Sequence, residues 1–280
     1  MLKENNFKKN LSITQGRHLK KIGRKIQLFP EKNWKKELKL FNKTKLNYIE
    51  WVVSKDNYYS NPLCYLNGYK TINKNLKKNK IICRSVDLDF IVKENPLKLS
   101  KERINLFLDK IKIISNNSLK VGIKYLIFPF LENASPRGNM AMKKLFFILK
   151  KVRKISSNKI IILVETDLKP KIVLKMVRKM RNKIFINYDI GNSASKNYDF
   201  EEEKKYFKFV KNIHLKDRLK KGSTIRFGYG NANFDKLFKY LKKNKYNYDF
   251  TLQPARSKCN KDIKEIKLNI KYIEQLLKNL

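Results

Sequence analysis

The stretch IFINYDIGNSASKNYDFEEEKKYFKFVKNIHLKDR, Ile184–Arg218, decides how the rest of the chain reads. It opens on a short apolar run that ends in Asp189. It closes on a second such run, Val210–Leu215, that carries His214. Outward from it, IIILVE ends in Glu165 and YDFTLQ ends in Gln253. Runs of this length and apolarity read as buried strands of a parallel sheet. Each of the four presents one oxygen or nitrogen ligand. Carboxylates, an imidazole and an amide carbonyl suit one hard or borderline divalent cation.

Four more runs extend the pattern, at Leu11–Gln15, Tyr48–Val53, Ile81–Val86 and Tyr125–Pro129. With Ile160–Glu165, Ile184–Asp189, Val210–Leu215 and Phe250–Gln253 they predict eight strands. Helical spacing fills the gaps. Trp34, Leu38 and Phe41 stand at i, i+4, i+7, and Ile104, Phe107, Leu108 and Ile111 at i, i+3, i+4, i+7. Val173, Met176, Val177 and Met180 repeat that spacing behind Pro170, as do Phe234, Leu237, Phe238 and Leu241. Each set makes one apolar stripe with Lys opposite. Glu201–Glu203 open another helix, and Ile263, Ile266, Ile270 and Ile273 mark a last one. Eight β–α repeats predict a (β/α)₈ TIM barrel, with an open doubly wound sheet as the competing arrangement. One domain, 1–280, is expected, with a core of about 11–256 and a C-terminal helix of about 260–280.

Composition narrows the class. A chain of 280 residues, 42% apolar and low in Gly and Pro, buries a large core. No run spans a bilayer, and MLKENNFKKN carries no apolar leader, so no membrane partner is expected. Cys64, Cys83 and Cys259 are scattered and odd in number, which fits unpaired thiols in a reduced, cytoplasmic setting. The formal charge of +42 raises nucleic-acid binding. Of the 66 basic residues only 11 are Arg, the preferred reader of phosphates and bases, and the Lys run from end to end. Solvated helix faces account for them, and no specific nucleic-acid partner is expected.

The segments EWVVSKDNYYSNPL, ETD, NYDIGNSAS, HLKDR, RFGYGNANFDKLFKYL and LQPAR resemble, in order, those of the sugar phosphate isomerase/epimerase family, the xylose-isomerase-like barrels. Within that family the chain is most similar to the ketopentose phosphate 3-epimerases. The resemblance spans about Ser12 to Arg256. It implies a TIM barrel that isomerises or epimerises a sugar or sugar phosphate through an enediolate. It implies one divalent ion (Mn, Mg, Co or Zn) on Glu165, Asp189, His214 and Gln253. Family members that use paired glutamates have Glu where this chain has Gln253. An amide oxygen binds metal but takes no proton, so a symmetric two-base mechanism is in question. Asn192 stands where some free-ketose epimerases have a histidine.

Glu165 is the expected proton-abstracting base, serving as ligand as well. Its bland reading is a carboxylate paired with Lys, and that of Asp189 is a cap on the following turn. Substrate contacts are expected from Gln15 and Arg17 at the first strand end, Glu50 within the second, and Asp87 at the third. Asn192, Lys216, Asp217, Arg218 and Arg256 complete the set, with Lys216, Arg218 and Arg256 suited to phosphate. Rival classes are a DNA-repair endonuclease on the same barrel, a keto-sugar or polyol dehydratase, and a non-catalytic sugar-binding barrel. The endonuclease needs several histidines for its zinc cluster, and only His18 and His214 exist. Gly228 and Gly230 supply no dinucleotide fingerprint. A homo-oligomer is compatible with all of this.

Overall fold

Eight parallel strands close on themselves. They are β1 (Leu11–Thr14), β2 (Tyr48–Val52), β3 (Ile82–Asp87), β4 (Tyr125–Phe130), β5 (Ile161–Thr166), β6 (Phe185–Asp189), β7 (Val210–Leu215) and β8 (Asp249–Leu252). Strand β1 pairs with β2 on one side and β8 on the other, so the sheet has no edge. The computed structural model describes residues 7–280 apart from 22, 24, 25 and 258. Residues 1–6, part of the MLKENNFKKN stretch without an apolar leader, lie outside the described residues. The expected (β/α)₈ barrel is therefore present, and each predicted strand matches to within a residue or so at either end.

The helices follow the periodicity. They include α1 (Trp34–Leu40), α2 (Tyr69–Asn79), α3 (Phe90–Glu94), α4 (Lys101–Val121), α5 (Gly138–Ile155), α6 (Pro170–Met180), α7 (Ile190–Lys196), α8 (Phe200–Lys204), α9 (Phe234–Lys243) and α10 (Asp262–Lys278). Pro170 occupies the first turn of α6, where its missing N–H costs nothing. Val173, Met176, Val177 and Met180 are all buried, each worth about 1.5–3 kcal/mol of transfer free energy. No helix among the described residues is long and apolar enough to cross a membrane.

The barrel interior is divided. Beside β4 and β5 it is apolar, with Tyr125, Ile127 and Leu163 packed against Ile161 and Phe185. The other side is polar. Thr14, Glu50, Ser85, Asn187, Asn212, His214 and Thr251 are all buried and hydrogen-bonded among themselves. Two register shifts serve this network. One residue extra on β3 brings Glu50 level with Ser85, and one extra on β7 brings Asn187 level with Asn212.

Charge is also divided. The turns that lead from each helix into the next strand span 39–48, 77–82, 117–124, 150–160, 178–184, 204–210 and 242–248. Every one carries Lys or Arg and none carries Asp or Glu. These turns sit at helix C-termini, whose partial negative charge favours Lys. Much of the net charge thus lies on the face away from the strand C-terminal ends.

Candidate active site

Strands β5, β6 and β7 end at the same mouth. Inward positions alternate along each strand, which turns Glu165, Asp189 and His214 toward the axis. Ligand atoms of these three residues all lie within 4.8 Å of one another, and all three side chains are buried. Glu165 lines a cavity of about 220 Å³ whose wall also includes Arg17, Gln27, Asp87, Asp89, Asn192, Lys216, Arg218 and Gln253.

Among the described residues Glu165 pairs with no Lys. Its Oε2 accepts from Asn187 Nδ2 at 2.7 Å and its Oε1 from Asn192 Nδ2 at 3.0 Å. Asp189 does cap α7: its Oδ1 accepts from the Asn192 N–H at 2.7 Å. Its Oδ2 faces Lys216 Nζ, also at 2.7 Å. Gly191 lets α7 approach β7, since a Cβ there would stand 2.9 Å from the Lys216 carbonyl.

His214 is fully buried between two carboxylates. Its Nε2 meets Glu50 Oε2 at 3.1 Å, and Glu50 is held in turn by Ser85, Thr14 and Thr251. Its Nδ1 lies 3.0 Å from Glu165 Oε2 but has no aligned hydrogen bond. Two acceptors this close need a cation between or beside them. Burial disfavours charge on the ring, yet Glu50 and Glu165 hold its pKa well above the ordinary range. Burial likewise works against the Glu50 carboxylate, but His214 holds its pKa below the ordinary value.

A metal ion fits the same place. Two ligands about 2.1 Å from one ion and at right angles stand about 3.0 Å apart. Nε2–H donating to a carboxylate leaves the Nδ1 lone pair free, the usual arrangement of a metal-bound imidazole. Gln253 Oε1 faces the same cavity and accepts from Lys216 Nζ at 3.4 Å. Lys216 therefore competes with any ion for Asp189 and Gln253.

The expected substrate contacts divide in two. Arg17, Asp87, Asn192, Lys216 and Arg218 line the cavity. Arg218 reaches Asn192 Oδ1 at 2.9 Å. Arg17 is buried, with its Nε unpartnered and its pKa pushed down to about 9 by burial and by Arg256, so it stays charged at neutral pH. The other four lie elsewhere. Gln15 accepts from the Val52 N–H through its carbonyl. Glu50 sits beneath the cavity on His214. Asp217 is fully buried and accepts from the N–H groups of Gly228, Gly230 and Ala232. Arg256 is bonded to the carbonyls of Gly16, Leu19 and Ile26.

Those four positions have physical reasons. The partner of Glu50 is 164 residues away, which no local pattern reveals. Asp217 begins a two-stranded hairpin of Asp217–Arg218 with Thr224–Ile225 and clasps the loop after it. A Cβ at Gly230 would stand 2.1 Å from Asp217 Oδ1, so the G-x-G serves this clasp. Two groups that hold the cavity's carboxylates had no sequence signal. Gln27 lies in the long loop after β1 and donates to Asp87 Oδ2, and Asn187 sits inside an apolar run.

No protein-family model matches the chain, and no curated protein matches it. Solved structures do match. A xylose isomerase-like TIM barrel protein from Mycobacterium smegmatis in complex with magnesium aligns with TM-score 0.67. It covers 100% of this chain and 99% of its own, at 12% identity. The IOLI protein with a zinc atom gives TM-score 0.72 over 96% and 98%, at 13% identity. A D-allulose 3-epimerase from Methylomonas sp. in complex with D-allulose gives 0.72 over 95% and 96%, at 11% identity. The fold is thus that of the xylose-isomerase-like TIM barrels.

Proposed function

We propose that the chain is a metal-dependent isomerase or epimerase of a sugar or sugar phosphate, working through an enediolate. The observation that carries this reading is the buried, unpartnered Nδ1 of His214 beside Glu165 and Asp189. The mouth position fits it, since barrel enzymes work at strand C-terminal ends. So do the named ligands of the similar structures: magnesium, zinc and D-allulose.

Glu165, Asp189 and His214 would hold the ion, with the Gln253 carbonyl as a fourth ligand. Such an ion supplies Lewis-acid stabilisation of an oxyanion. Glu165 takes the proton from a carbon next to the substrate carbonyl. Asn187 and Asn192 fix its two oxygens. Glu50 orients the His214 ring. Lys216, Arg17 and Arg218 give the cavity wall a positive side that suits an anionic sugar. Three free thiols agree with a cytoplasmic setting.

The DNA-repair endonuclease reading finds no support at the site. His18 lies apart, with its Nε2 on Thr44 Oγ1 at 2.9 Å and its ring packed on Phe41. Among the described residues the group able to hold metal comprises three residues.

A metal-supplemented panel of free and phosphorylated ketoses and aldoses in heavy water, followed by proton NMR, tests the proposal. Deuterium entering one carbon beside a carbonyl is the expected result. A panel in which no sugar exchanges, under any of the four metals, would overturn it.

A further inference from the structure

Asp87 ends β3 and lines the cavity with Glu165, Lys216 and Gln253. It is buried, and its two oxygens are treated unequally. Oδ2 accepts from Gln27 Nε2, while Oδ1 has no partner. A buried carboxylate oxygen without a donor costs about 1–3 kcal/mol unless it holds a proton or meets a ligand. Here burial comes first, then Glu50, Glu165 and Asp89, in raising the Asp87 carboxyl well above the ordinary range. Gln27 occupies Oδ2, so the proton belongs on Oδ1, the oxygen without a donor.

Gln253 supplies the complementary fact. Epimerisation needs a proton taken from one face of a carbon and another delivered to the opposite face. In the closed strand order, β8 stands three strands from β5 and β3 only two. Gln253, which follows a strand three places from that of Glu165, carries an amide, which neither gives nor takes a proton at neutral pH. Isomerisation between adjacent carbons returns the proton to the same face, so one carbon-facing base suffices. It then needs a second group to move a proton between two oxygens.

We propose that this site catalyses a 1,2-isomerisation between an aldose and a ketose, with Asp87 as the acid–base group for the two substrate oxygens. The inference rests on the sugar-enzyme reading above. In the first half, Glu165 takes the proton from the hydroxyl-bearing carbon. That C–H pair becomes the carbon–carbon double bond, and the carbonyl π pair moves onto its oxygen, which takes the proton from Asp87. In the second half, the Asp87 carboxylate takes the proton from the other enediol oxygen, and a new carbonyl forms there. The double-bond pair then takes the proton back from Glu165 onto the neighbouring carbon. One carbon is oxidised, its neighbour is reduced, and both carboxyls return to their starting states. Gln27 is a positioning residue that keeps Oδ1 as the proton carrier.

The test follows both events by NMR in heavy water for wild type, Asp87→Asn and Asp87→Glu on the sugar panel. Wild type should interconvert a ketose with an aldose. Asp87→Asn should lower interconversion at least 100-fold while lowering deuterium exchange at carbon no more than about tenfold, because Glu165 is intact. Asp87→Glu should restore part of the loss, and both variants should melt within a few degrees of wild type. Asp87→Asn that interconverts at the wild-type rate, or a wild type whose product is the 3-epimer, overturns the inference. A wild type that exchanges no sugar overturns the sugar-enzyme reading itself, and this inference with it.

Discussion

Tyr188 and Asp189 are neighbours on β6 and face two different buried carboxylate clusters. Behind the strand, Glu203 accepts from Tyr188 OH and Ser193 Oγ, each at 2.8 Å, and from Tyr206 OH at 3.3 Å. Burial pushes its carboxyl up to about 7, against the pull of those three hydroxyls. In front of the strand, Asp189 joins Glu165 and His214 in one buried group, and His214 Nδ1 and Asp87 Oδ1 have no hydrogen-bond partner. Burial raises one carboxyl in each place, Glu203 behind and Asp87 in front. Only in front are buried polar atoms left without a hydrogen-bond partner, beside a cavity that Asp87 and Glu165 line. The saturated cluster joins helix to strand, and the open one is where chemistry is expected.

The largest effect should come from breaking the open cluster. Glu165→Gln removes the base and should cut turnover by roughly 100-fold or more in a steady-state assay, with the protein still folded by circular dichroism. The saturated cluster should answer in stability instead. Glu203 prefers its proton in the folded state, so its contribution is present in full below about pH 4.5 and is lost as pH rises through about 7. Denaturant titrations across that window should show wild type losing roughly 3 kcal/mol that Glu203→Gln retains, with activity unchanged. The smallest effect is expected from Gln253→Glu. It adds a second base to the cavity beside Lys216, and should fold normally and yield a trace of 3-epimer detectable by chromatography.

Much of this contrast was legible in the chain and some was not. Eight short apolar runs and the stripes between them identify the barrel because burial on both faces of a parallel strand leaves a continuous signature. The ends of those runs gave Glu165, Asp189 and His214, because the C-terminal ends of parallel strands in a barrel meet at one mouth. Partners across the barrel left no such trace. Glu50 belongs to His214, and Asp217 belongs to the loop of Gly228 and Gly230, through tertiary contacts alone. Gln27 sits in a loop without period. Arg256 read as a phosphate ligand by its place after the last strand, yet its hydrogen bonds go to backbone carbonyls. The net charge misled least once its place was known, since the all-basic turns lie at the far end of the barrel.

The open cluster's claim on a cation is tested most directly by calorimetric titration of Mn²⁺ and Zn²⁺ into chelator-treated protein. One ion per chain is predicted for wild type and for Glu203→Gln. His214→Gln and Asp189→Asn should bind at least tenfold more weakly, since each replaces an imidazole or a carboxylate with a weaker, neutral amide ligand. A wild type that binds neither ion, or variants that bind as tightly as wild type, would contradict the account.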